Sequence, residues 1–150
     1  HYVVAAFSVH KEEAICEGAL SVMDIPGLSG DKWLVYHWNE QRITRLEEGC
    51  ETAVSLEPGE AELYLLLPDR AVQFIGILEK YIGPGCMDRL WEREDTAGVL
   101  VTESGTFGFV TGKQIKRVLV NGKGWEFETM ADGLYGVKIP EENSVVELCF

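Results

Sequence analysis

The stretch 33–82 decides the fold: WLVYHW (33–38), RITRL (42–46), ETAVSLEPGEAELYLLLP (51–68) and AVQFIGILEKYI (71–82). Each run is rich in Val, Ile, Leu, Tyr or Trp, and each is closed by Gly, Pro, Asn or Asp. Short apolar runs between turn residues predict β-strands. In 33–38 both alternating sets carry large side chains, Trp33, Val35 and His37 against Leu34, Tyr36 and Trp38, so this strand belongs inside a sheet. In 61–67 the period of two assigns Ala61, Leu63, Leu65 and Leu67 to the core and Glu62, Tyr64 and Leu66 to the other face. Pro58 and Pro68 enclose too few residues for a stable helix there. Gly76, inside FIGIL, marks a bulge or a close backbone approach.

Outward from this stretch the signals continue. YVVAAFSV (2–9) is one strand, HKEEAICEG (10–18) is polar enough to leave the sheet, and most of 21–31 reads as loop around Pro26, Gly27 and Gly30. Segment 84–96 is the least regular, with a helical turn expected around 87–93. The last third, AGVLVTES, TFGFVTG, QIKRVLVNG, GWEFETM, LYGVKIP and SVVELCF, reads as an antiparallel meander. Asn121-Gly122 and Asp132-Gly133 are its hairpin signals, because both residue types tolerate positive φ. The predicted class is all-β, an antiparallel β-sandwich with meander or Greek-key connections, in one domain spanning 1–150.

Charge excludes several functions. With 25 acidic and 13 basic residues and a net charge of −12, the surface repels nucleic-acid phosphates and anionic membranes. The densest basic group, Lys113, Lys116, Arg117 and Lys123, reads as a solvated face. No apolar run approaches the ~20 residues that cross a bilayer. Cys16, Cys50, Cys86 and Cys149 have no Cys-x-x-Cys spacing, which favours free thiols, a reducing compartment and hence the cytoplasm. Cys149, within VVELCF, reads as a small core residue. The chain opens on His1 rather than Met, and it is expected to continue upstream.

Catalytic and metal constellations are weak. Glu126 and Glu128 share one strand face about 7 Å apart, within the roughly 5–9 Å of a glycosidase carboxylate pair. The same alternation turns Trp125 and Phe127 inward and leaves both glutamates in water. The three histidines make no triad, and no serine sits in a Gly-x-Ser-x-Gly turn. His10 and His37 lack metal-ligand spacing, and Asp24 and Asp31 fit turn chemistry better than calcium. No catalytic residue, metal site or cofactor is assigned.

Aromatics point elsewhere. The four tryptophans, aided by Tyr36 and Tyr135, offer rings on which pyranoses stack, since sugar C–H faces are apolar. Trp33 and Trp125 read as core. Trp38, at a strand end before Asn39-Glu40, and Trp91, among charged residues, are the exposed pair that a carbohydrate site would use.

Several segments, taken in order, resemble the C-terminal region of the raffinose synthase, alkaline α-galactosidase and seed-imbibition protein group of glycoside hydrolases. They are Asp24-Ile25-Pro26-Gly27-Leu28 with Gly30-Asp31 and strand 33–36, the strand pair 49–56 and 60–67, Phe74-Ile75-Gly76-Ile77-Leu78, and Gly105-Thr106-Phe107-Gly108 with the strands that follow. In that family the catalytic aspartates lie in an upstream (β/α) barrel. The resemblance therefore implies a non-catalytic accessory domain of an α-galactoside-processing protein, whose partner is the catalytic barrel of the same polypeptide. A carbohydrate-binding module using Trp38 and Trp91 on an oligosaccharide is the alternative.

Overall fold

The computed structural model describes residues 1–9, 14–28, 32–47, 49–130 and 133–150. The described residues are all-β: every strand pairing is antiparallel, and the only helical pieces are 3-10 turns at Val22–Asp24 and Gly83–Cys86. Packing gathers the chain into two compact units, His1–Asp69 and Arg70–Phe150, within the span that sequence analysis treats as one domain.

In the first unit, β1 (Tyr2–Phe7), β6 (Ala61–Pro68), β3 (Lys32–His37) and β4 (Arg42–Glu47) form a sheet in that order. A two-stranded ribbon of β2 (Cys16–Ser21) and β5 (Glu51–Leu56) completes the unit. Leu20, Val22, Trp33, Val35, Leu46, Tyr64 and Leu66 make the core, with Val54, Ile25 and Leu28 packed against it. Each such aliphatic or aromatic side chain contributes roughly 1.5–3 kcal/mol on burial. As its wording predicts, β3 lies inside the sheet, between β6 and β4.

Two expectations change here. Cys16–Ser21 is a strand, β2, rather than polar connection and loop. In β6 the alternation holds only in part: Leu65 and Leu67 are buried as assigned, but Ala61 is exposed and Leu63 half-buried, while Glu62, Tyr64 and Leu66 from the other face are buried too. β6 lies between β1 and β3 and is buried on both faces, so residue polarity there does not report the inward side.

The second unit is a two-sheet sandwich. One sheet orders β13 (Glu128–Thr129), β14 (Leu134–Ile139), β10 (Gly105–Thr111) and β7 (Val72–Ile77). The other orders β12 (Lys123–Trp125), β11 (Arg117–Val120), β15 (Ser144–Cys149), β9 (Thr96–Val101) and β8 (Met87–Glu92). A single core joins them: Phe74, Phe107, Phe109, Val137 and Ile139 from the first, Ala97, Val99, Val118, Val146 and Leu148 from the second. Phe109 stacks on Tyr135 with centroids 5.4 Å apart.

The last third is not one meander. β11–β12 and β13–β14 are hairpins, but β10 to β11, β12 to β13 and β14 to β15 each carry the chain into the other sheet. The Asn121-Gly122 turn forms as predicted, with φ of 50° and 75° and Val120 opposite Lys123. Asp132 lies outside the described residues. The expected helical turn at 87–93 is instead the edge strand β8, whose register shifts between Asp88 and Trp91 around Arg89 at φ 49°. Three consecutive exposed residues in β8 hide its strand period.

Gly76 is the close-approach point. Its φ is +103°, and a Cβ there would lie 2.0 Å from the Gly83 carbonyl oxygen. The facing strand changes register between Gly108 and Phe109. The tight approach seats Cys86, whose thiol donates to the Gly83 carbonyl at 2.8 Å and accepts from the Ile77 N–H at 3.3 Å. Gly76→Ala should destabilise the second unit by about 3 kcal/mol or more, through backbone overlap and strain. Gly112→Ala, which meets nothing within 4 Å, should change stability by less than about 1 kcal/mol. Urea denaturation of both variants checks this, and equal midpoints would contradict the close approach.

Candidate functional site

The tryptophans do not fall as their flanking residues suggest. Trp33 is core, as expected. Trp38 is half-buried in the turn after β3, its backbone N–H donating to the Leu63 carbonyl at 2.9 Å. Trp91 stands in β8 rather than in a loop, half-buried, with its indole laid across Gly98; a Cβ on Gly98 would sit 2.1 Å from the ring. Trp38 belongs to the first unit and Trp91 to the second, so neither unit contains both. The exposed tryptophan is Trp125, at 38%, which the alternation placed in the core.

The reason is the wiring of the sandwich. β12 and β13 are the outermost strands of their sheets, and only Glu126 and Phe127 connect them. Strand alternation does not persist through a change of sheet. Phe127 turns in to pack against the core and meets Tyr135 edge-on at 6.0 Å. Trp125 stays outside and is held by one bond, its Nε1–H donating to the Lys138 carbonyl at 2.9 Å.

Beside this bridge lies an open groove of about 600 Å³, lined by Thr106, Gly124, Trp125, Phe127, Gly136 and Lys138 together with Glu126 and Glu128. The volume falls within the roughly 300–1,000 Å³ of small-ligand sites. β10 and β14 supply its floor, with Thr106 opposite Lys138 and Gly136 opposite Glu128. Glu126 and Glu128 are exposed, as the sequence predicts. The Thr106 wall is tied down by Glu79, whose two carboxylate oxygens accept the Thr106 N–H at 3.2 and 3.0 Å. Burial alone would raise the Glu79 carboxyl, but the hydrogen bonds from Thr106 and the charge of Lys138 outweigh it and hold it below the usual range. An apolar ring, hydroxyl and carboxylate acceptors, an ammonium donor and a glycine floor suit a polyhydroxylated ring with one apolar face.

A second polar cluster sits in the first unit. His37, 2% exposed, lies with Nε2 3.0 Å from the Thr44 hydroxyl and with its ring edge-on to Tyr64 at 5.1 Å. Glu62, also buried, accepts the Asn39 N–H at 2.9 Å, while Arg42 binds Glu40 and the Thr44 hydroxyl. Burial first, then the Arg42 charge, pushes the His37 imidazole down to about 4, against a smaller upward pull from Glu40. Burial likewise pushes the Tyr64 phenol up to about 12 and raises the Glu62 carboxyl. Burial pushes these groups towards their neutral forms, and the bonds of His37 to Thr44 and of Glu62 to Asn39 fasten the β3–β4 turn. His10 and Asp31, weighed as ligands in the sequence, lie outside the described residues. Among the described residues no group of three or more His, Cys, Asp or Glu could hold a metal ion.

No protein-family model matches this chain, and no curated protein matches it.

The His37 cluster sets a pH dependence. The folded imidazole binds its proton near pH 4 and the unfolded one near 6.5, so the unfolded state takes up more protons as pH falls through that window. Stability should drop by about 2–3 kcal/mol between pH 7 and 4.5 on this account. The raised Glu62 carboxyl acts in the opposite sense, favouring the folded state as pH falls towards 4.5. His37→Gln should remove most of the drop in denaturation midpoints compared at the two pH values. An unchanged drop in the variant would contradict the assignment.

Proposed function

We propose that this chain is a non-catalytic carbohydrate-binding β-domain of a larger sugar-processing protein, with the saccharide held in the Trp125 groove. One observation carries the reading. The chain's most exposed indole forms a wall of an open groove whose remaining lining is Phe127, a hydroxyl, carboxylates, an ammonium and two glycines. A hexose presents an apolar C–H face to such an indole and directs its hydroxyls to the flanking acceptors and donors. About twelve non-hydrogen atoms of a hexose, at ~0.3 kcal/mol each, amount to ~4 kcal/mol and a Kd near ~1 mM. Several sugar units along the groove would tighten this. The ordered likeness to the C-terminal region of the raffinose synthase group favours α-galactosides as the first ligands to try.

Packing on a catalytic barrel is the second reading, and a different face favours it. β1 is an edge strand, and its outward residues Val3 and Phe7 are 45% and 65% exposed, with Val9 beyond them at 88%. An apolar edge of this kind suits burial against another domain. The two readings use residues of different units.

The test is an NMR titration of the ¹⁵N-labelled chain with raffinose and a longer α-galactoside to millimolar concentration. Shift changes should concentrate at the Trp125 indole N–H and at the amides of Thr106, Gly136 and Lys138. They should vanish in Trp125→Ala, which should cost under about 2 kcal/mol of stability because the ring is partly exposed, and persist in Trp38→Ala and Trp91→Ala. Changes centred on Trp38 or Trp91, or none at all, would overturn the placement.

A further inference from the structure

We infer that the Trp125 groove selects saccharides by charge, taking amino sugars ahead of neutral ones and rejecting uronates; this rests on the carbohydrate-binding reading above. Four charged groups face the groove or brace its wall: Glu126, Glu128, Lys138 and Glu79. Lys138 lines the groove beside the two glutamates, while Glu79 spends its carboxylate oxygens on the Thr106 N–H. Glu126 and Glu128 make no ion pair among the described residues. Both are exposed and both line the groove; Glu126 lies within the strand crossing that leaves Trp125 outside, and Glu128 follows it. The site therefore presents an indole beside two carboxylates and one ammonium, a lining of net negative charge.

That combination discriminates. A protonated amine on a sugar ring gains from both carboxylates and from the electron-rich indole face. A uronate meets the two carboxylates as like charges, and the chain's net charge of −12 repels it before contact. A neutral hexose gains the stacking and the hydroxyl hydrogen bonds alone. For two partly solvated charges a few ångströms from the ligand's own charge, the ratio between neighbouring members of the series is roughly fivefold to tenfold at low salt. Screening shortens the reach of these charges to about 3 Å at 1 M salt, so the ratios should then shrink towards one.

The experiment is calorimetric or NMR titration of the whole chain with three oligosaccharides of equal length: an amino-sugar oligomer, a neutral galacto-oligosaccharide and an oligogalacturonate. Each is run at 20 mM and at 1 M NaCl. The inference expects affinity to fall in that order at low salt and to converge at high salt. Glu126→Gln with Glu128→Gln should bring the three within about twofold at low salt, while Trp125→Ala abolishes all binding. Equal affinity for the neutral and acidic oligomers at low salt, with binding still lost in Trp125→Ala, overturns charge selection and leaves the carbohydrate site standing. Binding of none of the three overturns the carbohydrate reading and this inference with it.

Discussion

Two residues, Glu126 and Phe127, carry the chain from the outer strand of one sheet to the outer strand of the other. A peptide making that passage cannot keep the side-chain alternation of either sheet, because each sheet fixes its own inward direction. The conflict is resolved by giving the core Phe127 and leaving Trp125 in solvent. The groove follows from the crossing. Its floor is the pair β10–β14, and its rim is the crossing segment itself.

Most of the fold was legible in the residues because strand wording and turn residues agree. WLVYHW announced an interior strand, Asn121-Gly122 a tight hairpin and Gly76 a close approach, and each has the predicted geometry. Illegibility has specific causes. β6 lies between two strands and is buried on both faces, so Glu62 and Tyr64 gave no hint that their side faces the core. β8 is an edge strand with a bulge, and its polar run imitated a helical turn.

The candidate groove was not legible in the sequence. The alternative reading put an exposed aromatic pair at Trp38 and Trp91. Trp38 is half-buried in a turn, and Trp91 covers Gly98 on its own sheet. Trp125 was assigned to the core because WEFE alternates as a half-buried strand does. The available warning was Gly124, two residues past Gly122 and inside β12, which is only three residues long. So short a strand at a sheet edge has few neighbours to bury its side chains.

The two units treat polar groups in opposite ways. In the first, His37, Glu62 and Tyr64 are buried and pushed towards their neutral forms, with His37 bonded to Thr44, Glu62 bonded to Asn39 and Tyr64 edge-on to His37. They hold a turn in place. In the second, Glu126 and Glu128 stand exposed around an exposed indole. The most direct measurement is a crystal structure of the chain grown with an α-galacto-oligosaccharide. The account predicts a sugar ring lying face-on to the Trp125 indole, with hydroxyls directed at Glu126, Glu128 and Lys138. A saccharide bound at Trp38 or Trp91, with the Trp125 groove empty, would contradict it.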